Sequence, residues 1–326
     1  MKIKFTHNYE SVISLENLLE AWKEFIIGKR SRKDVQEFER DLMTNVIQLH
    51  NDLVTMSYGH HGYEAFKISD PKPRNIHKAS VRDRVLHRAL YRVLYPFFDR
   101  TFISDSYSCR YNKATYKAID KFRKFFFQVS KNDKKTVWVL KCDIRKFFAS
   151  VNHDTLKAIL KNYISDDKIL FLLWVIIDSF SVRAGIGLPL GNLTSQLFVN
   201  IYMNEFDQFM KHKLKAKYYI RYADDFVVMS HDKSRLQELL PKIGDFLQER
   251  LRLDLHPNKI SIRTIASGVD FLGWVHFPNY RVLRTTTKRR MFKRINKNPK
   301  PETINSYLGL LKHGNSRMLE EKIMDC

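Results

Sequence analysis

The chain has 326 residues, of which 57 are lysine or arginine and 35 are aspartate or glutamate, so its formal net charge is +22. Positive charges in this excess repel one another unless an anionic partner binds to the protein. Nucleic acid is the expected partner. A membrane protein is disfavoured, because the longest apolar run lies between Lys168 and Asp178 and is too short to span a bilayer.

The N-terminal sequence and the cysteines point to a reduced compartment. The N-terminus has no apolar segment of the kind that a signal peptide requires. Cys109, Cys142 and Cys326 have neither disulfide nor metal spacing. We therefore expect a cytoplasmic protein.

The first third of the chain is predicted to be mainly helical. Apolar residues at three- and four-residue steps predict one long helix from Ser31 to near Gly59, with Ser31 and Asp34 spaced as a capping box. A proline-punctuated loop over residues 68–76 follows and carries Lys72 and Arg74. A second helix is predicted over residues 81–95, ended by Pro96.

The middle of the chain alternates strands with helices. The sequence predicts a strand over 137–143, helices over 153–163, 167–180 and 191–213, strands over 216–221 and 226–230, a helix from a cap at Asp232 to about Leu251, and strands over 259–264 and 269–276. Beyond Phe271 the chain becomes strongly basic, with no acidic residue before Pro301. These elements predict an α+β fold.

Tyr222-Ala223-Asp224-Asp225 is the sharpest motif, placed between two predicted strands. Adjacent carboxylates repel each other unless a cation neutralises them, and hard oxygen ligands suit Mg²⁺. On its own this pattern also fits an ordinary aspartate-rich hairpin turn. Asp143, at the end of an apolar strand, adds a carboxylate from a second element. Carboxylates from two elements are what a two-metal phosphoryl-transfer site needs, with its ions about 4 Å apart.

With these motifs the chain resembles the reverse transcriptase family from about Ser31 to Lys293. Residues 143–148 look like its motif A, residues 222–225 like its motif C, and residues 271–274 like its primer-grip hairpin. The resemblance implies a right-hand polymerase that comprises an N-terminal extension (1–30), fingers (31–135), palm (136–276) and a small helical thumb (277–326).

The resemblance also assigns roles to individual residues. Asp143, Asp224 and Asp225 would be the metal-site carboxylates, with the Ile144 carbonyl as a further ligand. Template–primer contacts would come from Phe271, Leu272, Gly273, Trp274, Lys288, Arg289 and Arg290.

Nucleotide-binding roles are implied in the same way, and each has a plainer alternative. Lys72 and Arg74 would grip the triphosphate, or lie in a solvated basic loop. Phe148 would be the steric gate against a ribose 2′-hydroxyl, or a core phenylalanine. Lys259 would protonate pyrophosphate as the motif D lysine, or be an ordinary surface lysine.

Residues 187–196 narrow the resemblance. Leu190-Gly191-Asn192-Leu193-Thr194-Ser195-Gln196 differs from the Gln-Gly-x-x-x-Ser-Pro form of group II intron and retron enzymes. It is similar to reverse transcriptases of diversity-generating retroelements, which copy a template-repeat RNA with errors at adenine. By this resemblance Leu190, Gly191 and Gln196 would lie at the nucleotide site. Leu190 and Arg74 would influence the fidelity of copying.

This resemblance implies several partners: template RNA, the RNA–cDNA duplex, dNTPs and a basic accessory variability protein. The gene would be bacterial, archaeal or phage-encoded. Two alternatives stay open. One is a retron-like or defence-associated reverse transcriptase, and the other is a non-catalytic RNA-binding protein that kept the fold.

Overall fold

The structure is a computed structural model that describes residues 3–69 and 73–324. Lys72, predicted to grip the nucleotide, and Cys326 lie outside the described residues. The chain forms two compact units, each built from three separate stretches. Unit 1 comprises residues 1–103, 144–209 and 245–254, and unit 2 comprises residues 104–143, 210–244 and 255–326.

Helices make up most of the described chain. The α-helices are α1 (Tyr9–Ile13), α2 (Leu15–Phe25), α3 (Lys33–Arg40), α4 (Leu42–Val54), α5 (Val81–Asp99), α6 (Thr115–Ser130), α7 (Phe147–Ser150), α8 (His153–Lys161), α9 (Asp167–Asp178), α10 (Leu193–Gln208), α11 (Lys233–Leu251), α12 (Thr285–Lys297), α13 (Pro301–Leu311) and α14 (Arg317–Met324). None of the helices in the described part of the chain is long and apolar enough to cross a membrane.

The strands form three antiparallel sheets. They are β1 (Glu64–Ile68), β2 (Arg74–Lys78), β3 (Trp138–Asp143), β4 (Tyr219–Tyr222), β5 (Asp225–Ser230), β6 (Ser261–Thr264), β7 (Val269–Phe271), β8 (Trp274–His276) and β9 (Arg281–Leu283). The sheet orders are β1-β2, β4-β5-β3-β6 and β7-β8-β9. The first sheet belongs to unit 1 and the other two belong to unit 2.

The core of unit 1 is helical. α5 packs against both α2 and α10, and α10 also packs against α8. Almost every residue of α10 from Thr194 to Asp207 is buried, which agrees with the wide apolar arc in its sequence. The hairpin β1-β2 is comparatively exposed, with Phe66 among its solvent-facing residues.

The predicted helix from Ser31 to Gly59 is wrong in one respect, because it is two helices. Asp41 leaves the helical conformation with φ −114° and ψ 36°, and this ends α3. Arg32 precedes α3 without a side-chain cap, so the predicted capping box does not form. Asp34 instead accepts hydrogen bonds from Lys78 and Arg84, since two cations attract a carboxylate more strongly than a backbone amide does.

Pro96 does not end α5, which continues to Asp99. An interior proline costs a helix about 3 kcal/mol through its lost hydrogen bond and its ring. Leu94, Tyr95 and Phe98 are buried around it. Burial of an apolar side chain contributes roughly 1.5–3 kcal/mol, so the packing of this last turn outweighs the local cost.

The core of unit 2 lies between α6 and the four-stranded sheet. Phe122, Phe125 and Phe126 of α6 pack with apolar residues that the strands contribute, among them Val139, Ile220, Val227, Met229 and Phe271. The strands predicted at 137–143, 216–221 and 226–230 are confirmed to within three residues at each end. Asp232 accepts hydrogen bonds from the amides of Ser234 and Arg235, as predicted for a helix cap.

A second cluster in unit 2 holds the C-terminal helices. Trp274, Met291, Ile295, Leu311 and Ile323 are buried together. A Cβ atom added at Gly314 would lie 2.0 Å from Cζ3 of the Trp274 ring. The close approach of backbone to indole therefore requires glycine at this position.

Candidate active site

The strand register of unit 2 brings two of the predicted carboxylates together. β3 and β5 pair antiparallel, with Asp143 directly opposite Asp225. Directly opposed residues on antiparallel strands have Cβ atoms about 4.5–5.5 Å apart on one face of the sheet. The hairpin pairs Tyr222 with Asp225 and leaves Ala223 and half-buried Asp224 as the turn. The prediction of two acidic elements side by side is therefore met by geometry.

The turn is held by an arginine that the motif analysis did not consider. Arg221 is 1% exposed, and its guanidinium donates to the Ala223 carbonyl (3.0 Å) and to Ser106 Oγ (3.1 Å). Ala223 has φ 55°, a left-handed conformation that costs a non-glycine residue about 1 kcal/mol or more. The buried hydrogen bond to its carbonyl stabilises that conformation. An arginine inside an otherwise apolar strand was the available signal.

Asp225 is poorly satisfied by the protein alone. Its Oδ2 lies 3.5 Å from the Lys141 ammonium, while its Oδ1 is buried and accepts no hydrogen bond from any described residue. Burial raises the pKa of Asp225 to about 7, and repulsion from Asp143 and Asp224 adds to the rise, while Lys141 opposes it. A buried oxygen without a donor is costly unless a cation or a water meets it.

Two lysines neutralise this cluster. Lys259, in the short 3₁₀ turn Pro257–Lys259, donates to Asp143 Oδ1 at 2.8 Å. Lys141 lies two residues before Asp143 on β3. Its ammonium also donates to the Asp270 carbonyl at 2.7 Å, which holds the side chain in place. Lys259 was singled out from the sequence. Lys141 was not, because it matches none of the motifs that carry the resemblance.

The donor set fits a hard divalent cation, although the side chains are not gathered as a ligand sphere. Within residues 3–69 and 73–324, no three His, Cys, Asp or Glu side chains are grouped closely enough to hold a metal. The paired positions of Asp143 and Asp225 and the unpartnered Asp225 Oδ1 supply carboxylate oxygens of the kind that Mg²⁺ binds. Ile144, the predicted carbonyl ligand, is a buried residue of unit 1.

Several predicted nucleotide-binding residues come together within unit 1. The Leu190 carbonyl accepts from His77 N (3.0 Å) on β2, the strand that begins with exposed Arg74. Gly191 has φ 110°, and a Cβ there would lie 2.8 Å from Ile76 on the same strand. The loop that carries Leu190 therefore lies against β2.

Phe148 lies next to the other end of that loop. Its carbonyl accepts from Leu188 N at 2.8 Å. Its ring is half-buried, whereas the neighbouring Phe147 is fully buried. Gln196 is also half-buried, one turn into α10. Phe148 is thus less buried than Phe147, and both alternatives for its role stay open.

The predicted template–primer residues divide by exposure. Phe271 and Trp274 are buried, so only the turn between them, Leu272-Gly273, is accessible to a ligand. Both turn residues have positive φ, 51° and 88°. Arg284 donates to Asp270 and ties the start of α12 to β7. On α12 itself, Lys288 and Arg289 are exposed while Arg290 is half-buried.

The fold is that of a right-hand polymerase. The chain is similar to the structure of apo telomerase from Candida tropicalis truncated from the C-terminal domain, with a TM-score of 0.52 and 15% identity. The likeness covers 72% of this chain and 59% of the telomerase chain. At that identity it shows the fold alone, and the predicted α+β right-hand fold is confirmed.

The sequence places the protein more narrowly. Residues 67–276, well over half of the chain, match the model of the reverse transcriptase (RNA-dependent DNA polymerase) family. The chain belongs to the reverse transcriptase family. Members of this family generally depend on divalent metal ions and bind an RNA template.

Two of the curated relatives are bacterial. Protein YkfC of Escherichia coli K12 is 26% identical over 244 residues, which is 63% of this chain and 63% of YkfC. The group II intron-encoded protein LtrA of Lactococcus lactis subsp. cremoris is 21% identical over 313 residues, 75% of this chain and 50% of LtrA. The chain thus spans less than two thirds of the length of these relatives.

Proposed function

We propose that the protein is an RNA-directed DNA polymerase that copies a template RNA into cDNA with Mg²⁺. The observation that carries the proposal is the register of β3 and β5, which sets Asp143 opposite Asp225 beside the turn with Asp224. Family membership over residues 67–276 supports it. Dependence on an RNA template follows from the same membership.

Asp143, Asp224 and Asp225 would hold the metal ions, with the Ile144 carbonyl as an additional ligand. Mg²⁺ bound there supplies activation of the attacking 3′-hydroxyl and stabilisation of the leaving pyrophosphate. Asp225 Oδ1, which has no donor among the described residues, is free to take a cation. Lys259, whose ammonium donates to Asp143 Oδ1, would give a proton to the departing pyrophosphate.

Asp225→Asn tests this proposal because it removes a carboxylate charge and keeps the side-chain shape. We expect dNTP incorporation on an RNA template to fall by about three orders of magnitude or more in Mg²⁺. Binding of the RNA–DNA hybrid should stay within about twofold. Asp154→Asn, an exposed aspartate in the first turn of α8, is the matched control. Near-normal extension by Asp225→Asn would reject the metal-site assignment, whereas absence of extension by the wild-type protein would favour a non-catalytic RNA-binding protein.

Other parts of the chain complete the proposed enzyme. Fingers, palm and thumb would follow the boundaries predicted from the sequence, 31–135, 136–276 and 277–326. Lys72, Arg74, Phe148, Leu190, Gly191 and Gln196 would contact the dNTP. The Leu272-Gly273 turn with Lys288, Arg289 and Arg290 would contact the template–primer duplex.

We further propose that the enzyme belongs to a diversity-generating retroelement and is error-prone at template adenines. The support is Leu190, which replaces the glutamine of more faithful relatives and whose carbonyl accepts a hydrogen bond from His77 on β2, the strand that begins with Arg74. An apolar side chain removes a hydrogen-bonding group from the pocket. A lost hydrogen bond of about 1–1.5 kcal/mol changes discrimination between right and wrong pairs by roughly five- to tenfold. A basic accessory protein would be its partner.

Sequencing of cDNA copied from one defined RNA distinguishes this assignment from a retron-like or defence-associated enzyme. We expect wild-type errors to be concentrated at template adenine, and Leu190→Gln to lower them there by about tenfold. Leu193→Gln, three residues on, is a control for insertion of a polar amide nearby. Equal wild-type error rates at all four template bases would favour the retron-like alternative.

A further inference from the structure

Unit 2 contains a second concave site, distinct from the carboxylates. It is a cavity of about 470 Å³ at the turn from Phe277 to Tyr280, which joins β8 to β9. Among the described residues that line it, none belongs to the proposed active site or template–primer surface. The Leu272-Gly273 turn lies at the other end of β8, a three-residue strand about 10 Å long. The cavity therefore opens at the opposite end of this sheet from the proposed primer-grip turn.

Two stacked aromatic rings form one wall. Phe277 N donates to the Tyr280 carbonyl at 2.9 Å, which closes the turn. The two ring centroids are 4.8 Å apart and the ring planes differ by 21°. Tyr280 is 49% exposed, so its ring is accessible to a ligand. Aromatic rings presented in this way bind nucleobases by stacking, whatever the base.

Cations surround the rings, and no carboxylate is among the described lining residues. Arg281 is held in place, because it donates to the His313 carbonyl and lies 3.6 Å from Asp120. Arg123 and Lys312 are exposed, and within the described chain neither forms an ion pair with a carboxylate. These two cations are available for a phosphate.

The floor of the cavity is uncharged. Phe122 and His276 are buried there, with ring centroids 4.5 Å apart. His276 Nε2 donates to the Phe271 carbonyl at 3.2 Å. Burial lowers the pKa of His276 to about 4, so its ring is neutral at physiological pH. An apolar floor, an accessible ring and exposed cations at the rim form a surface for a planar anion-bearing ligand.

We propose that this cavity binds an unpaired RNA nucleotide that lies outside the template–primer duplex, with its base on Tyr280 and its phosphate at Arg123 and Lys312. A paired base inside a duplex has both faces covered by its neighbours, whereas an unpaired base beyond the duplex offers a face to Tyr280. The inference rests on the proposed copying of RNA, but its test requires no polymerisation. A failed binding test would therefore reject the nucleotide site without rejecting the proposed polymerase activity, and a failed polymerase test would not reject the nucleotide site.

The test compares two RNA–DNA hybrids bound by the full chain without dNTPs. One is blunt-ended and the other carries unpaired RNA at both ends. Tyr280→Ala is expected to weaken binding of the overhang hybrid about tenfold, with little change for the blunt hybrid. Tyr280→Phe keeps the ring and should bind as wild type. Tyr111→Ala, at a tyrosine of unit 2 that is 60% exposed and outside the cavity, is the matched control.

Salt dependence tests the phosphate contacts. Arg123→Gln with Lys312→Gln should lower the slope of log affinity against log salt for the overhang hybrid by about 0.7 per lost contact. Lys134→Gln with Lys135→Gln, exposed and beyond the end of α6, should leave it unchanged. The proposal is overturned if Tyr280→Ala binds the overhang hybrid as wild type. It is equally overturned if Tyr280→Ala weakens both hybrids alike, since the tyrosine would then act on duplex binding or on the fold.

Discussion

Lys259 Nζ donates to Asp143 Oδ1 at 2.8 Å, so the ammonium occupies one oxygen of a proposed metal ligand. Lys259 is 40% exposed, which allows it to leave that carboxylate when a ligand arrives. It therefore connects two proposed events, cation binding at Asp143 and proton donation to pyrophosphate.

Lys259→Met should change these two events in opposite directions. Loss of the ammonium removes a competitor, so the Mg²⁺ concentration for half-maximal extension should fall. Loss of the proton donor should reduce the single-turnover rate by about a hundredfold. Extension measured across a Mg²⁺ series separates the two effects. Lys242→Met, at an exposed lysine of α11, is the control, and an unchanged rate for Lys259→Met would return Lys259 to an ordinary surface lysine.

Phe148→Ala should relax the choice of sugar. The ring is half-buried beside the loop that carries Leu190, where it can occupy the space of a ribose 2′-hydroxyl. We expect the ratio of ribonucleotide to deoxynucleotide incorporation to rise roughly tenfold or more. The measurement is competitive primer extension, with Phe171→Ala, at an exposed phenylalanine of α9, as the control. An unaltered ratio in a folded, active variant would assign Phe148 to packing.

Lys288→Gln with Arg289→Gln tests the duplex surface on α12. Both side chains are exposed, whereas Arg290 is half-buried and is left intact. For binding to a blunt hybrid, each lost phosphate contact should lower the slope of log affinity against log salt concentration by about one. Binding is measured between about 50 and 200 mM salt, with the Lys134 and Lys135 double variant as the control. A slope equal to wild type would show that these cations face solvent in the complex.

Two glycines of the C-terminal segment, one in α13 and one in the turn between α13 and α14, should change stability in opposite directions when replaced by alanine. Gly314→Ala brings a Cβ to 2.0 Å from the Trp274 ring and should destabilise unit 2 by about 1–3 kcal/mol. Gly309 is in α13 with open space around it, and Gly309→Ala should stabilise by up to about 1 kcal/mol. Thermal unfolding measures both. A neutral Gly314→Ala would mean that Trp274 can move away.

Buried histidines in unit 1 should make stability depend on pH. His60 Nε2 and His87 Nε2 are 3.2 Å apart, and Asp83 and Arg84 also face His87. Burial lowers the pKa of His87 to about 3 and also lowers the pKa of His60. The unfolded chain, with a histidine pKa near 6.5, binds more protons, so stability falls as pH drops below about 6.5.

His87 alone should lower the free energy of unfolding by about 2 kcal/mol when the pH falls from 7 to 5. Asp83 does not interfere in this window, because its pKa is lowered below the ordinary aspartate value. His87→Gln should flatten the pH dependence between pH 7 and pH 5, whatever its effect on stability at pH 7. Chemical unfolding at both pH values measures this, and a slope unchanged from wild type would contradict it.

Features that depend on neighbouring residues were predicted from the sequence alone. The strand that ends at Asp143, the hairpin around Asp224 and Asp225, and the cap at Asp232 all follow from local periodicity and turn chemistry. The carboxylate motifs and the excess of positive charge indicated a metal-dependent enzyme of nucleic acid. The sequence alone determined that much, because each element and motif is set by residues close together in the chain and the net charge follows from composition.

The remaining features depend on contacts between residues that are far apart in the chain. The pairing of Asp143 with Asp225 and the contact of Lys259 with Asp143 come from strand register and loop placement. Buried Arg221 and the continuation of α5 through Pro96 reflect tertiary packing that outweighs local preference. Only the tertiary structure decided these, because a local pattern sets a residue's conformation and face but not the distant partner that will cover it.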